Sequence, residues 1–143
     1  MPECDIRCEP RHDLTPNEID QIEDHLYQHT AERLGRRDAQ GLGFVAHHRG
    51  ELAGAVAGFT WGGIYDLKQV WVREDLRGQG LGSALMRSAM AEARLRGCAY
   101  VFLATQDFQA PDFYRRLGFE LVAEVPDKPL GHTEFVFRRS LAD

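Results

Sequence analysis

Three cysteines in 143 residues, Cys4, Cys8 and Cys98, are too few and too odd a set for a disulfide framework, and they suit reduced thiols in the cytoplasm. Long apolar runs are missing as well. No stretch approaches the roughly 20 residues of a membrane span, and the polar opening MPECDIRCEP is unlike a signal peptide. Positive charge is in deficit: 17 Lys+Arg against 22 Asp+Glu leave a formal charge of −5. That balance argues against nucleic acid as the main partner, because phosphate binding leaves a basic footprint, and it is compatible with a cationic substrate. No repeat, low-complexity tract or Pro/Ser-rich linker divides the chain, so residues 1–143 read as one domain. No metal is expected either. His25 and His29 stand four apart without a third ligand, and Cys4-x-x-x-Cys8 lacks a second pair. With 43% hydrophobic and 27% charged residues, the composition is that of a globular protein able to fold without either kind of staple.

What is present is a clear alternation of periods. A short strand is expected over Asp5 to Glu9. Thr15-Pro16-Asn17-Glu18 then predicts a helix start, with Thr15 as cap, Pro16 at the first helical position and Glu18 returning a bond to the cap. Ile19, Ile22, Leu26 and Leu34 follow at helical spacing, Gly35 stops the helix, and Arg33, Arg36 and Arg37 place cations at its end. Strands are expected over Gly43 to His47 and Leu52 to Trp61, joined by the turn His48-Arg49-Gly50-Glu51. After Gly62-Gly63 comes a third strand, Ile64 to Val72. Simple alternation puts Tyr65 and Leu67 on one face and Val70 and Val72 on the other, a slip that a β-bulge near Lys68 or Gln69 would produce. Trp61 and Tyr65, flanking the glycine pair, read as lining of a site, sheet core or a contact between copies.

A helix over Leu81 to Arg96, with Leu81, Leu85, Ala89 and Ala93 on one face, ends at Gly97. Cys98 reads as a small core residue before a buried strand, Tyr100 to Ala104. Pro111 opens a short helix that Gly118 ends. Phe119 to Val125 and Thr133 to Arg139 close the chain as strands around the Pro126–Gly131 loop, where His132 sits beside Gly131. The order β-α-β-β-β-α-β-α-β-β describes an α/β protein with a mixed sheet and helices on its faces.

Chemistry concentrates in Val70-Trp71-Val72-Arg73-Glu74-Asp75-Leu76-Arg77-Gly78-Gln79-Gly80-Leu81-Gly82-Ser83, where a strand enters a glycine-rich turn and a helix leaves it. The first amides of a helix lack intrahelical acceptors and carry the positive end of its dipole. Gly78, Gly80 and Gly82 let an anion approach the backbone, and Arg77 adds a cation at the edge. Together these describe a phosphate or pyrophosphate cradle. It is not a Walker A loop, which needs Lys after its last glycine. Nor is it a Rossmann fingerprint, since G-x-G-x-G replaces G-x-G-x-x-G.

Arg77-Gly78-Gln79-Gly80-Leu81-Gly82 resembles the R/Q-x-x-G-x-G/A signature of the GNAT superfamily of acyl-CoA-dependent N-acyltransferases. Val70-Trp71-Val72 before it, and Phe113-Tyr114-Arg115-Arg116-Leu117-Gly118-Phe119 after it, extend the resemblance. The resemblance implies a mostly antiparallel sheet with one splayed parallel pair, helices on both faces and acyl-CoA in the gap. Backbone groups of Val70 and Val72 would pair with pantetheine, the amides from Gly78 to Ser83 would take the pyrophosphate, and an N–H near Val70 would face the oxyanion. Tyr114 would protonate the departing thiolate, although beside Phe113 and Leu117 it also reads as core. A general base would be Asp66 first and Asp107 second, each of which also reads as a solvated or capping carboxylate.

The activity implied is transfer of the acetyl group of acetyl-CoA, as co-substrate, to a primary amine through a tetrahedral intermediate. A small cationic or amino-acid-like amine is the first acceptor expected, and a protein N-terminus or lysine the next. A homodimer is a family-level expectation. A catalytically silent acyl-CoA sensor and a nucleotide-binding module are the readings from other classes.

Overall fold

Helix caps and strand turns fall where local chemistry directs them in a computed structural model that describes residues 6–142. The chain forms two compact units, Met1–Arg37 and Asp38–Asp143. Cys4 and Asp5 lie outside the described residues, and residues 6–10 carry no strand, so the strand expected to open the chain is corrected over Ile6 to Glu9. The first unit holds α1 (Pro16–Leu34). The Thr15 hydroxyl accepts from the Glu18 amide at 3.2 Å and the Glu18 carboxylate accepts from the Thr15 amide at 3.4 Å, a reciprocal capping box. Gly35 closes the helix at φ 67°, a left-handed position that glycine takes without steric cost. Ile19, Ile22 and Leu26 share a face by spacing and remain 53%, 57% and 65% exposed.

The second unit is a six-stranded sheet with two helices: β1 (Gln40–His48), β2 (Glu51–Trp61), β3 (Ile64–Val72), α2 (Leu81–Leu95), β4 (Tyr100–Gln106), α3 (Pro111–Arg116), β5 (Glu120–Pro126) and β6 (Thr133–Ser140). A 3-10 turn, Glu74–Leu76, lies between β3 and the glycines; it was not visible in the sequence pattern. The strand order is β1-β2-β3-β4-β6-β5, antiparallel throughout except for β3 and β4. Two-residue turns at Arg49-Gly50 and Gly62-Gly63 have positive φ at both positions, which matches the right-handed twist of the strands they join. Leu85, Met86, Ala89, Met90 and Ala93 of α2 are buried against Leu42, Val56, Tyr65, Val101 and Phe137 of the sheet.

The phase slip in β3 is a bulge. Ala57 pairs with Gln69 and Gly58 with Leu67, leaving Lys68 as the extra residue. It returns Val70 and Val72 to the side of Tyr65 and Leu67, and all four belong to, or pack against, one core. Tyr65 is core rather than site lining: it is fully buried, and its hydroxyl donates to the Leu42 carbonyl at 3.1 Å. Cys98 is 7% exposed and burial pushes its thiol pKa up, as suits a small packing residue.

Candidate active site

The bulge decides what happens between the two parallel strands. β3 and β4 pair only at Ile64–Tyr100, Tyr65–Val101 and Asp66–Phe102. Past that point β3 follows β2 to Val72, while β4 stays paired with β6 to Gln106. Each strand keeps its outer partner and the two diverge, leaving unpaired backbone groups along facing edges. The gap is part of a cleft of about 1230 Å³.

At its far end the cleft meets the glycine turn. Gly78 and Gly80 lie at φ 79° and 84°, and Gly80 caps α2 without a side chain. The first-turn amides of Leu81, Gly82 and Ser83 therefore have no intrahelical acceptor. A Cβ on Gly82 would stand 3.3 Å from Phe113 Cζ and 3.5 Å from Val72 Cγ2, so its bareness keeps the floor of the cradle open. The Arg77 Nε donates to the Val72 carbonyl at 3.0 Å, tying the turn to the end of β3. Lys68, Arg77 and Arg116 give the cleft lining three cations, a balance suited to a phosphate-bearing ligand.

Val70, Trp71, Val72, Tyr114 and every expected cradle residue except Gln79 line this cleft; Gln79 lines a smaller neighbouring pocket with His48. Tyr114 packs edge-on to Phe113 and Phe119 at centroid distances of 5.1 and 5.9 Å. Burial raises its pKa above the ordinary 10.0, so the phenol keeps its proton at neutral pH. The ring packs against the core, and Tyr114 also lines the cleft.

Neither expected carboxylate base lines the cleft. Asp66 is ion-paired with Lys68 Nζ at 3.1 Å. Asp107 receives the Thr133 amide at 2.9 Å and contacts His132 Nδ1 at 2.9 Å, and these bonds hold its pKa below the ordinary carboxylate range. His132 in turn stacks edge-on to Phe108, which does line the cleft.

Sequence reading missed Glu134. It is 8% exposed and is the one acidic side chain lining the cleft among the described residues. Its signal was an acidic residue in an otherwise apolar Glu134-Phe135-Val136-Phe137 run, where alternation sets it apart from the two phenylalanines.

The Acetyltransferase (GNAT) family model matches residues 6–119. Blasticidin-S acetyltransferase of Streptomyces morookaense is 40% identical over 99 residues, covering 68% of this chain and 73% of that protein. A crystal structure of an acetyltransferase from Bacillus cereus superposes with a TM-score of 0.75 at 25% identity, over 92% of this chain and 97% of the other. An aminoglycoside 6'-N-acetyltransferase solved with coenzyme A shares the fold at a TM-score of 0.66 and 16% identity, over 94% and 97% of the two chains. A splayed parallel pair leading to a bare glycine cradle, in a chain matched over most of its length, has one consistent assignment: the protein belongs to the GNAT family of acetyltransferases.

Proposed function

We propose that this enzyme moves the acetyl group of acetyl-CoA to a primary amine of a small molecule, with residues 1–143 acting as one N-acetyltransferase domain. The observation that carries the reading is the divergence of β3 from β4 beyond Asp66, which opens toward the amides at the start of α2. Acetyl-CoA supplies an activated thioester. The amides from Gly78 to Ser83 and the Arg77 guanidinium neutralise the pyrophosphate, while backbone groups of Val70 and Val72 offer a strand edge to the pantetheine amides. Trp71 and Gln79 complete this cofactor-binding set. The Val70 N–H stabilises the oxyanion of the tetrahedral intermediate formed when a neutral amine attacks.

Tyr114 donates its proton to the departing thiolate, a role its raised pKa supports. Asp66 or Asp107 removes the amine proton, acting through water because neither lines the cleft. The acceptor class is supported by the blasticidin-S relative, whose substrate is a small molecule. The test is release of CoA thiol with a panel of primary amines that includes blasticidin S, alongside calorimetry of acetyl-CoA. Turnover with at least one small amine is expected. Tight binding of acetyl-CoA with no turnover on any acceptor would instead identify a silent sensor.

A further inference from the structure

We propose that Glu134 seats the ammonium group of the acceptor, and that the Lys128 side chain occupies that seat in the free enzyme. The inference rests on the acetyl-transfer reading and narrows its substrate class to amines that arrive as cations, whose proton passes through water to Asp66 or Asp107 before the neutral nitrogen attacks. Strand pairing sets the geometry. Leu103 pairs with Phe137 and Thr105 with Phe135, so these four share one face of the sheet; Ala104 pairs with Val136 and Gln106 with Glu134, sharing the other. Tyr114 packs on Phe137, at a centroid distance of 6.3 Å, and so stands on the first face. Glu134 stands on the second, and both line the same cleft. The gap between β3 and β4 is thus a slot through the sheet, with the proposed proton donor on one side and a buried carboxylate on the other.

That carboxylate is built to hold a cation. Its Oε1 accepts from Gln106 Nε2 at 3.3 Å, which fixes the plane of the group. Its Oε2 meets Lys128 Nζ at 3.0 Å. The Glu134 side chain is 11% exposed and that of Lys128 is 62% exposed, so the partner reaches in from solvent on a flexible stem. A buried carboxylate needs a counter-charge. A lysine ammonium is itself a primary alkylammonium, so an acceptor amine can replace it without leaving the carboxylate unpaired. The two other candidate carboxylates are engaged elsewhere, Asp66 by Lys68 and Asp107 by His132 and Thr133.

Two variants separate this seat from a structural bridge, which would respond alike to loss of either partner. Glu134→Gln should raise the KM for amines about 10- to 100-fold while the KM for acetyl-CoA stays fixed, as expected for loss of a charged hydrogen-bonded partner. Lys128→Met should do the opposite, lowering the amine KM by up to about fivefold because it removes a weak internal competitor. The probes are blasticidin S and a series of linear alkyl diamines, read by CoA release and by calorimetry on the CoA-loaded protein. A rise in amine KM in both variants, or no amine whose binding depends on Glu134, overturns the proposal. Absence of CoA release by the wild-type enzyme with every amine overturns acetyl transfer instead, and calorimetry of the same amines against Glu134→Gln still decides the seat.

Discussion

At Tyr114 packing meets the proposed role of general acid in one side chain. Its ring is enclosed by Phe113, Phe119 and Phe137, and the same enclosure raises the phenol's pKa above 10.0. A general acid must be protonated, so its contribution falls as pH rises through that raised value. The basic limb of the pH–rate profile should therefore lie above 10.0 and vanish in Tyr114→Phe. That variant should slow single-turnover acetyl transfer about 10²- to 10⁴-fold with acetyl-CoA affinity unchanged. Asp107 works in the opposite direction. Its carboxylate is held below its ordinary 3.8, chiefly by the Thr133 amide, so the stability it contributes is fully present above that value and lost as pH falls through the depressed one. Asp107→Asn should lower the melting temperature most near neutrality, and the gap from wild type should close as pH drops below 3.8.

Glycines decide the behaviour of the elements around the cleft, and they do so for different reasons. Gly58 sits opposite the bulge, where a Cβ would collide with the Asp66 carbonyl and come within 2.8 Å of Leu67 Cα. Gly80 holds φ 84°, and an alanine there should cost about 1–2 kcal/mol in urea unfolding. Gly82 is helical and has only the Phe113 ring and a Val72 methyl near its missing Cβ. Gly82→Ala should thus hold its stability, since alanine gains about 1 kcal/mol of helix propensity over glycine. Its methyl group narrows the cradle, so acetyl-CoA affinity should fall. Calorimetry paired with urea melts distinguishes the two glycines: Gly80→Ala is read in stability, Gly82→Ala in binding. The bulge itself was legible in sequence because the apolar phase slips between Leu67 and Val70. The 3-10 turn Glu74–Leu76 was not, because three polar and apolar residues carry no period. β5 extends to Pro126, with Val122 as an unpaired residue in its register, and nothing in its alternation foretold that irregularity.

At the scale of the whole molecule, a ligand that binds only the folded chain stabilises it by mass action. Acetyl-CoA at a hundredfold excess over its Kd should add about 2.7 kcal/mol and raise the melting temperature, whereas ATP and NAD at equal concentration should not. A shift with ATP or NAD that acetyl-CoA fails to match would return the protein to the nucleotide-binding class. Among the described residues no helix is long and apolar enough to cross a membrane. Sequence determined the three α-helices and the six sheet strands of the described residues, the turn glycines and the bulge, because each is encoded by neighbours a few residues apart: a capping box, a two-residue turn, a broken alternation, a glycine before a helix start. Tertiary structure alone decided which carboxylate meets the cleft. Glu134 and Gln106 are far apart in the chain and become partners only when β6 pairs with β4, and Asp107 is claimed by His132 and Thr133 through the same pairing. Long-range register brings those groups together, and no local spacing records it.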